Sequence, residues 1–307
     1  MAAATVSAGE VAVASRGAYL AADFEIGSVS KGITGLLYAD ALGRGEISPD
    51  TTLGERLPLG DCPAAALTLA ALSRHSSGLP RLPRRSGSLR RTLALMVRGS
   101  NPYGETLAEL LAQARSAVPG AARPRYSNFG FELLGHAIAA GAGLSFQDLL
   151  RDRLAVPLGL GSVYAPSTPA EVRPTAVTGR SRRGRVMQPW TGEALAPAGG
   201  IRASISDMAG LVSALLDGIG PGGGAPGLAA LDPVADFAGP AARIGAGWMT
   251  LETKGRTVTW HNGGTGGFRA WVGLDRKAGT GVVLLAATAV PVDRQGFRLL
   301  AELTAPN

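Results

Sequence analysis

The stretch that most constrains this chain is residues 24–32, FEIGSVSKG, where an apolar, strand-like run changes into a helical one. Ser28 and Lys31 stand three residues apart and therefore lie on the same face of a helix. If Ser28 opens that helix, its hydroxyl lies at the positive end of the helix dipole, beside an ammonium group. A lysine in apolar surroundings can also act as a base, so the pair predicts a serine nucleophile that needs no histidine.

The same pair has a simpler interpretation, an N-capping serine followed by a solvated lysine. Lysine usage favours the catalytic hypothesis. Of 30 basic residues, only Lys31, Lys254 and Lys277 are lysine. Arginine does not deprotonate in proteins, so it could not serve as a base at position 31.

A second element, RYSN at residues 125–128, precedes an apolar run with helical spacing. It predicts a loop that presents the Tyr126 phenol and the Asn128 amide just before a helix begins. A phenol near a lysine can pass a proton to a leaving group. Taken alone, the element is better explained by an Asn128 N-cap and a tyrosine packed on the surface.

A third element is VTWHNGGTGG at residues 258–267, which alternates like a strand as far as His261. The glycines that follow allow a substrate backbone to approach closely, and their N–H groups could hold an oxyanion. Taken alone, this element is better explained by a glycine-rich hairpin turn with a surface histidine.

In this order the three elements resemble the serine β-lactamase and penicillin-binding-protein superfamily, which has S-x-x-K, then Y-x-N, then K-T-G or H-x-G. The likeness is strongest to class C β-lactamases, DD-peptidases and family VIII esterases. Secondary signatures of the superfamily are similar to LSRHSSGLP at 72–80, LAVPLGL at 154–160 and PAGGIRAS at 197–204. The resemblance runs from about residue 27 to about residue 300. It implies an α/β (α+β), β-lactamase-like fold, an antiparallel sheet flanked by helices with an inserted all-helical lobe.

The resemblance also implies catalytic roles for three residues. Ser28 would become acylated, Lys31 would take its proton or tune its environment, and Tyr126 would carry a proton to the leaving group. The reaction would therefore pass through an acyl-serine intermediate.

The remaining matches are implied to bind and orient the substrate. Asn128 would orient Lys31 and the substrate amide, and His261, with Gly263, would face Tyr126 or the polar end of the substrate. The N–H groups of Ser28 and Gly264 would form the oxyanion hole.

Strands are predicted near both ends of the chain and helices between them. We therefore expect a sheet lobe from residues 1–45 and 195–307, and an inserted helical lobe from residues 46–194, with the site in the cleft between them. Only 27 residues precede Ser28 and only residues 9–15 form a clear strand there, so we expect a smaller or rearranged sheet. Residues 163–197 are irregular and predicted to overhang the site, with Trp190 as a candidate substrate contact.

The other histidines and the single cysteine predict no metal site. His75, His136 and Cys62 stand far apart without zinc spacing. We interpret His75 as a structural turn residue and His136 as a satisfied core or surface residue, and we expect no cofactor. A single cysteine also suits a reducing compartment.

Composition limits the partners. The apolar fraction of 46% and charged fraction of 17% indicate a packed globular protein. The net charge of +7 comes with arginine clusters at residues 81–91 and 180–185. We interpret them as solvated loops and not as a nucleic-acid surface, because aromatic residues are only 5% of the chain and do not interleave with them.

No apolar run approaches the roughly 20 residues of a membrane span. The first residues lack a signal-like pattern, which predicts a cytoplasmic protein unless an export signal has been removed.

The expected activity is hydrolysis of carboxylic esters or small amides. HNG in place of K-T-G removes the permanent cation that would meet a carboxylate in β-lactam and peptide substrates. Three alternatives stay open: an acyltransferase or peptide-cyclising enzyme, a β-lactamase or D-alanyl-D-alanine carboxypeptidase, and a binding protein that stays acylated. The sequence leaves the oligomeric state open.

Overall fold

A computed structural model describes residues 1–82, 88–239, 241–253 and 255–304, with the backbone alone at 88–92. The strands are β1 (Ala2–Ser7), β2 (Glu10–Ser15), β3 (Asp23–Glu25), β4 (Arg202–Ser204), β5 (Ile219–Gly220), β6 (Gly223–Gly224), β7 (Ala235–Asp236), β8 (Ala242–Ile244), β9 (Met249–Thr253), β10 (Arg256–Gly264), β11 (Arg269–Asp275) and β12 (Thr280–Ala286). The helices are α1 (Val29–Gly43), α2 (Leu53–Arg56), α3 (Leu69–Ser73), α4 (Ser88–Arg98), α5 (Leu107–Arg115), α6 (Asn128–Gly141), α7 (Phe146–Leu150), α8 (Ile205–Asp217) and α9 (Asp293–Leu303). Short 3₁₀ or π turns span Pro63–Ala66, Arg151–Ala155, Pro169–Glu171, Ala196–Gly200 and Leu228–Leu231.

The main sheet is antiparallel and joins the two ends of the chain. Its order is β2-β1-β12-β11-β10-β9-β8-β7, with Ala2 opposite Leu285 and Ser7 opposite Thr280. Residues 2–15 form the hairpin β1–β2, so the sheet receives two N-terminal strands where the sequence analysis predicted one clear strand. The alanine-rich β1 lies inside the sheet, where Ala2, Ala4 and Val6 alternate inward and small side chains pack against α8.

Helices cover both faces of this sheet. α1 and α8 pack on one face, above the larger core, and α9 packs on the other. On the α9 side Trp271 is fully buried, and its ring centroid lies 4.9 Å from that of Phe297. α1 lies so close to the chain before β9 that a Cβ on Gly35 would fall 1.8 Å from the carbonyl oxygen of Ala246. The predicted antiparallel sheet with flanking helices is confirmed.

Helices α2–α7 fill the interval between the two parts of the chain that build the sheet. α6 packs on α1 and on the π turn at Ala196–Gly200, so the helical region contacts the nucleophile helix directly. The segment after α7 returns to the sheet side, where bridges pair Ala176 with Asp23 and Arg180 with Thr288. The division into two lobes stays a prediction.

Within the described ranges no single helix has the length and hydropathy of a membrane span. Only α6 combined with residues Phe146–Ala155 reaches that composition, and the two pieces are bent by 80° relative to each other.

The two arginine clusters differ in how much of them can be described. Arg84 and Arg85 lie outside the described residues, and the side chains of Arg90 and Arg91 do as well. The second cluster lies on an exposed hairpin closed by a bridge between Arg180 and Val186.

A buried ion network joins β3 to β4 and to the irregular segment that follows α7. Arg202 places Nε 2.5 Å from Asp23 Oδ1 and Nη1 3.2 Å from Glu25 Oε1, and all three side chains are almost fully buried. Asp23 also accepts hydrogen bonds from the hydroxyls of Tyr164 and Thr175. Because each charge has close partners, the network can be retained in the core despite its desolvation cost.

Removing the cation from this network should destabilise the fold strongly. In Arg202→Met, two buried carboxylates lose their counter-charge, and we expect the free energy of unfolding to fall by about 3–5 kcal/mol in urea denaturation. Arg298→Met is the matched control, since its ion pair with Glu302 is solvent-exposed and should matter by less than about 1 kcal/mol. Equal effects of the two substitutions would contradict this assignment.

Candidate active site

Ser28 and Lys31 have the geometry of a nucleophile beside an amine. Ser28 is the N-cap residue of α1, yet its side chain makes no capping hydrogen bond. Lys31 is fully buried, and its Nζ lies 3.2 Å from Ser28 Oγ and 2.5 Å from the carbonyl oxygen of Ala198. The interpretation as a capping serine followed by a solvated lysine is therefore wrong.

The surroundings of Lys31 are aromatic and uncharged. Its Nζ lies 4.9 Å from the ring centroid of Tyr126 and 5.9 Å from that of Phe131. In the part of the chain that the structure describes, no carboxylate forms an ion pair with Lys31. The amine therefore interacts with π faces, a carbonyl oxygen and the Ser28 hydroxyl.

The His75 ring packs against the Tyr126 ring, a contact that the sequence did not predict. Its backbone φ is +57°, as suits the predicted turn residue, and its ring is buried 4.5 Å from the Tyr126 ring. Nδ1 accepts a hydrogen bond of 3.1 Å from the N–H of Ser127. Burial first, and then the charge of Lys31, lowers the pKa of His75 well below its usual value. A neutral imidazole therefore fixes the loop that carries the phenol.

The motif around Asn128 differs in detail from the prediction. Ser127, and not Asn128, caps α6, because its hydroxyl accepts the N–H of Gly130 at 2.9 Å. Asn128 is the first residue of the helix, and its Oδ1 is buried without a hydrogen-bond partner among the described residues. Lys31 bonds elsewhere, so the role of Asn128 in orienting Lys31 stays a prediction.

His261 lies on the inward face of β10, toward Lys31. The side chain is buried, and Nδ1 lies 2.6 Å from the carbonyl oxygen of Asn262, so Nδ1 carries the proton. Burial, followed by the charge of Lys31, lowers the pKa of His261 to about 3. Nε2 is buried with no partner among the residues that are described, and it is free to accept a hydrogen bond in the site.

The glycines after His261 bring β10 against the nucleophile turn. A Cβ on Gly263 would fall 1.9 Å from the carbonyl oxygen of Ile26 and 3.1 Å from the backbone nitrogen of Ser28. A Cβ on Gly27 would fall 2.5 Å from the backbone nitrogen of Gly264. The backbone N–H groups of Ser28 and Gly264 therefore lie along one close backbone contact, and their role as an oxyanion hole stays a prediction.

These residues open into a cleft of about 590 Å³. It is lined by Ser28, Arg81, Leu95, Tyr126, Arg182, Trp190, Asn262, Gly263, Gly264, Thr265, Gly266, Arg269, Pro291 and Asp293. Residues 163–197 therefore overhang the site as expected, and Trp190 faces it. The sequence analysis did not place Arg81, Leu95, Arg182, Arg269 or Asp293 in the site, because they come from five separate segments of the chain.

Glu25 was also missed, although it and Asp23 are the two charged residues in the otherwise apolar run before Ser28. Its Oε1 accepts the backbone N–H of Trp190 at 2.9 Å, so the buried ion network holds the wall of the cleft. Burial raises the pKa of Glu25, against the opposing effect of the Arg202 charge. His136, by contrast, is a buried core residue bonded to the carbonyl oxygen of Glu193 at 3.1 Å, as expected.

Comparison with known proteins gives the family. A family model described as Beta-lactamase matches residues 3–305 of the chain. The chain belongs to the β-lactamase family. A β-lactamase of Escherichia coli K12 is 30% identical over 190 residues, which are 61% of this chain and 46% of that protein. The match therefore spans less than half of that relative's length.

Solved structures of β-lactamase-family members share the fold. A class C β-lactamase from Rhodobacter sphaeroides has a TM-score of 0.80 at 21% identity, over 99% of this chain and 94% of that one. A β-lactamase/D-alanine carboxypeptidase from Pseudomonas syringae has a TM-score of 0.81 at 20% identity, over 99% of this chain and 92% of that one. An octameric penicillin-binding protein homologue from Pyrococcus abyssi has a TM-score of 0.83 at 21% identity, over 100% of this chain and 73% of that one. The predicted superfamily and fold class are confirmed, and the protein has the fold of a β-lactamase-family serine hydrolase.

The neutral histidine beside Lys31 should make this family member sensitive to acid. Because the folded-state pKa of His261 is depressed to about 3, its contribution to stability is present above the unfolded value of 6.5 and is lost as pH falls below it. When the pH is lowered from 7.5 to 5, the free energy of unfolding measured in urea should fall by roughly 2 kcal/mol less in His261→Gln than in wild type.

Asn262→Ser is the control for this measurement, because Asn262 is exposed on the opposite face of β10 and does not titrate. It should keep the wild-type pH dependence of stability. If His261→Gln does so too, His261 is not the buried neutral group described here.

Proposed function

We propose that this protein hydrolyses carboxylic esters or small amides through an acyl-Ser28 intermediate. The observation that carries the proposal is the contact of 3.2 Å between Lys31 Nζ and Ser28 Oγ, a hydroxyl that its own helix does not use. A serine that opens onto a cleft and contacts a buried lysine is the arrangement that nucleophilic catalysis needs.

In the proposed reaction, Ser28 Oγ attacks the carbonyl carbon of the substrate and its proton passes to the pair formed by Lys31 and Tyr126. The carbonyl oxygen becomes an oxyanion beside the backbone N–H groups of Ser28 and Gly264. As the bond to the leaving group breaks, the leaving group takes a proton from the Tyr126 side. Water then attacks the acyl-serine, releases the acid and returns the proton to Ser28.

The preference for esters and small amides rests on His261. Family members with K-T-G carry a permanent cation at this strand position, whereas His261 is neutral at physiological pH because its pKa is about 3. A substrate that depends on a charge at that point loses its partner here.

A second candidate is the hydrolysis of β-lactams or of peptides ending in D-alanine. The observation in its favour is similarity: the Escherichia coli relative is a β-lactamase, and one structural neighbour is a β-lactamase/D-alanine carboxypeptidase. The same acyl-serine chemistry serves both candidates, so substrate comparison separates them.

The test is turnover of 4-nitrophenyl butyrate beside a chromogenic cephalosporin by wild type, Ser28→Ala and Ser30→Ala. We expect ester hydrolysis that Ser28→Ala lowers by at least about a thousandfold, because the nucleophile is gone. Ser30→Ala removes a hydroxyl of the same helix that accepts the N–H of Ile201 and, among the described residues, makes no contact with Ser28 or Lys31 side chains by hydrogen bond, so it should keep the activity. Mass spectrometry of quenched wild type should find the acyl group on the peptide that contains Ser28.

Ester turnover that survives Ser28→Ala would overturn the mechanism. Cephalosporin turnover equal to or faster than ester turnover, and equally dependent on Ser28, would transfer the assignment to the second candidate.

A further inference from the structure

Positive charge is concentrated in two stretches of the chain. Residues 62–104 contain seven arginines and residues 180–186 contain four, and neither stretch contains an aspartate or a glutamate. The net charge of the whole chain is only +7, so the remaining residues together carry more acidic than basic groups. A charge separated in this way attracts anionic partners to one part of the surface.

The helix α4 belongs to the first stretch and exposes an apolar face. Leu93, Met96 and Val97 follow the i, i+3, i+4 spacing of one helix face, and they are 59%, 70% and 57% exposed. Leu95 points the other way and lines the cleft, where a Cβ on Gly266 would fall 3.2 Å from its Cδ1. Leu95 thus packs α4 over the cleft, while three large apolar side chains stay in water.

The hairpin at residues 180–186 lies against the last turn of α4. Arg185 Nη1 donates to the carbonyl oxygen of Met96 at 2.5 Å. Val186, which is 52% exposed, and the exposed Arg183 belong to the same hairpin. α4 and the hairpin therefore form one surface on which exposed apolar side chains lie among arginines.

The composition of this surface decides which occupant fits it. A nucleic acid would satisfy the arginines but not the apolar side chains, since its backbone is an array of phosphates. A second copy of the chain seated here by two-fold symmetry would bring arginines against arginines, at an electrostatic cost. The interface of an anionic membrane satisfies both kinds of side chain, because phosphate headgroups lie directly above an apolar layer.

We propose that α4 and the hairpin at residues 180–186 dock this protein on the surface of an anionic lipid bilayer. Leu93, Met96 and Val97 enter the boundary between headgroups and acyl chains, and the surrounding arginines pair with lipid phosphates. The protein lies on the membrane in this arrangement and does not span it. Because Leu95 and Arg182 line the cleft from the same two elements, docking brings the opening of the cleft close to the lipid surface.

The test is co-sedimentation of the full chain with vesicles of phosphatidylcholine alone, or of phosphatidylcholine and phosphatidylglycerol in equal parts. We expect the partition coefficient to be at least about tenfold higher for the anionic vesicles, because several arginines lie near the lipid phosphates. Raising the salt from about 0.1 M to about 0.5 M should lower binding to the anionic vesicles by a similar factor, since salt screens exposed charges.

The decisive variant is Leu93→Ser/Met96→Ser, which removes two exposed apolar side chains and keeps every arginine. Partition to anionic vesicles should fall at least about tenfold, because these side chains lose their transfer out of water. The matched control is Val11→Ser/Val156→Ser, since these valines are 47% and 67% exposed but belong to neither α4 nor the hairpin, and it should bind like wild type. Arg183→Gln should weaken binding roughly fivefold, the effect of one arginine near the lipid surface.

A fluorescent probe reports insertion directly. A nitrobenzoxadiazole group on the Met96→Cys variant, made in a Cys62→Ser background, should shift its emission to the blue when anionic vesicles are added. The same group on the Val156→Cys variant should not respond. Vesicle binding that Leu93→Ser/Met96→Ser leaves intact would be adsorption by charge alone and would overturn the inference. So would the absence of vesicle binding, including the case in which the protein binds duplex nucleic acid or a second copy of itself through this surface instead.

Discussion

The burial of Lys31 is the interaction on which the rest of the site depends. An amine taken out of water needs hydrogen-bond acceptors, and here they are the Ser28 hydroxyl and the carbonyl oxygen of Ala198. The second acceptor lies in the π turn at Ala196–Gly200, far from α1 in sequence. That turn packs on both α1 and α6, so the contact that satisfies the lysine also brings together the elements that carry Ser28 and Tyr126.

The same amine helps to keep the two neighbouring histidines neutral. His75 and His261 are buried near Lys31, and burial and the lysine charge both lower the pKa of each imidazole. Each histidine keeps one ring nitrogen bonded to backbone, which fixes its tautomer and its position. The floor of the cleft is therefore a set of neutral, oriented donors and acceptors around one basic group.

The walls of the cleft differ from this neutral surrounding of Lys31, because they include charged side chains. Arg182, Arg269 and Arg81 line the cleft and contact backbone carbonyls or the Tyr126 ring, and among the described residues none of them forms an ion pair with a carboxylate. Behind them, the network of Asp23, Arg202 and Glu25 pairs its charges fully and holds the backbone of Trp190. Paired charges therefore support the wall of the cleft from behind, and the arginines lie on its inner surface.

The sequence by itself determined the features that depend on local spacing. Ser28 and Lys31 face the same way because of helical periodicity, the strands near the C-terminus follow from alternation, and the glycines after His261 are required by close backbone approach. The order of three short motifs was enough to indicate the family and the fold.

Only the tertiary structure decided the capping of α6 by Ser127, the strand at Ala2–Ser7, the packing of His75 against Tyr126 and the presence of Arg182 and Arg269 in one cleft. Each of these depends on contacts between residues far apart in the chain, whose distances no local pattern encodes. Whether an arginine is a solvated surface group or part of a binding site depends on what lies opposite it. That is fixed when the segments pack, because burial and neighbouring charge, and not residue type, set how a charged group behaves.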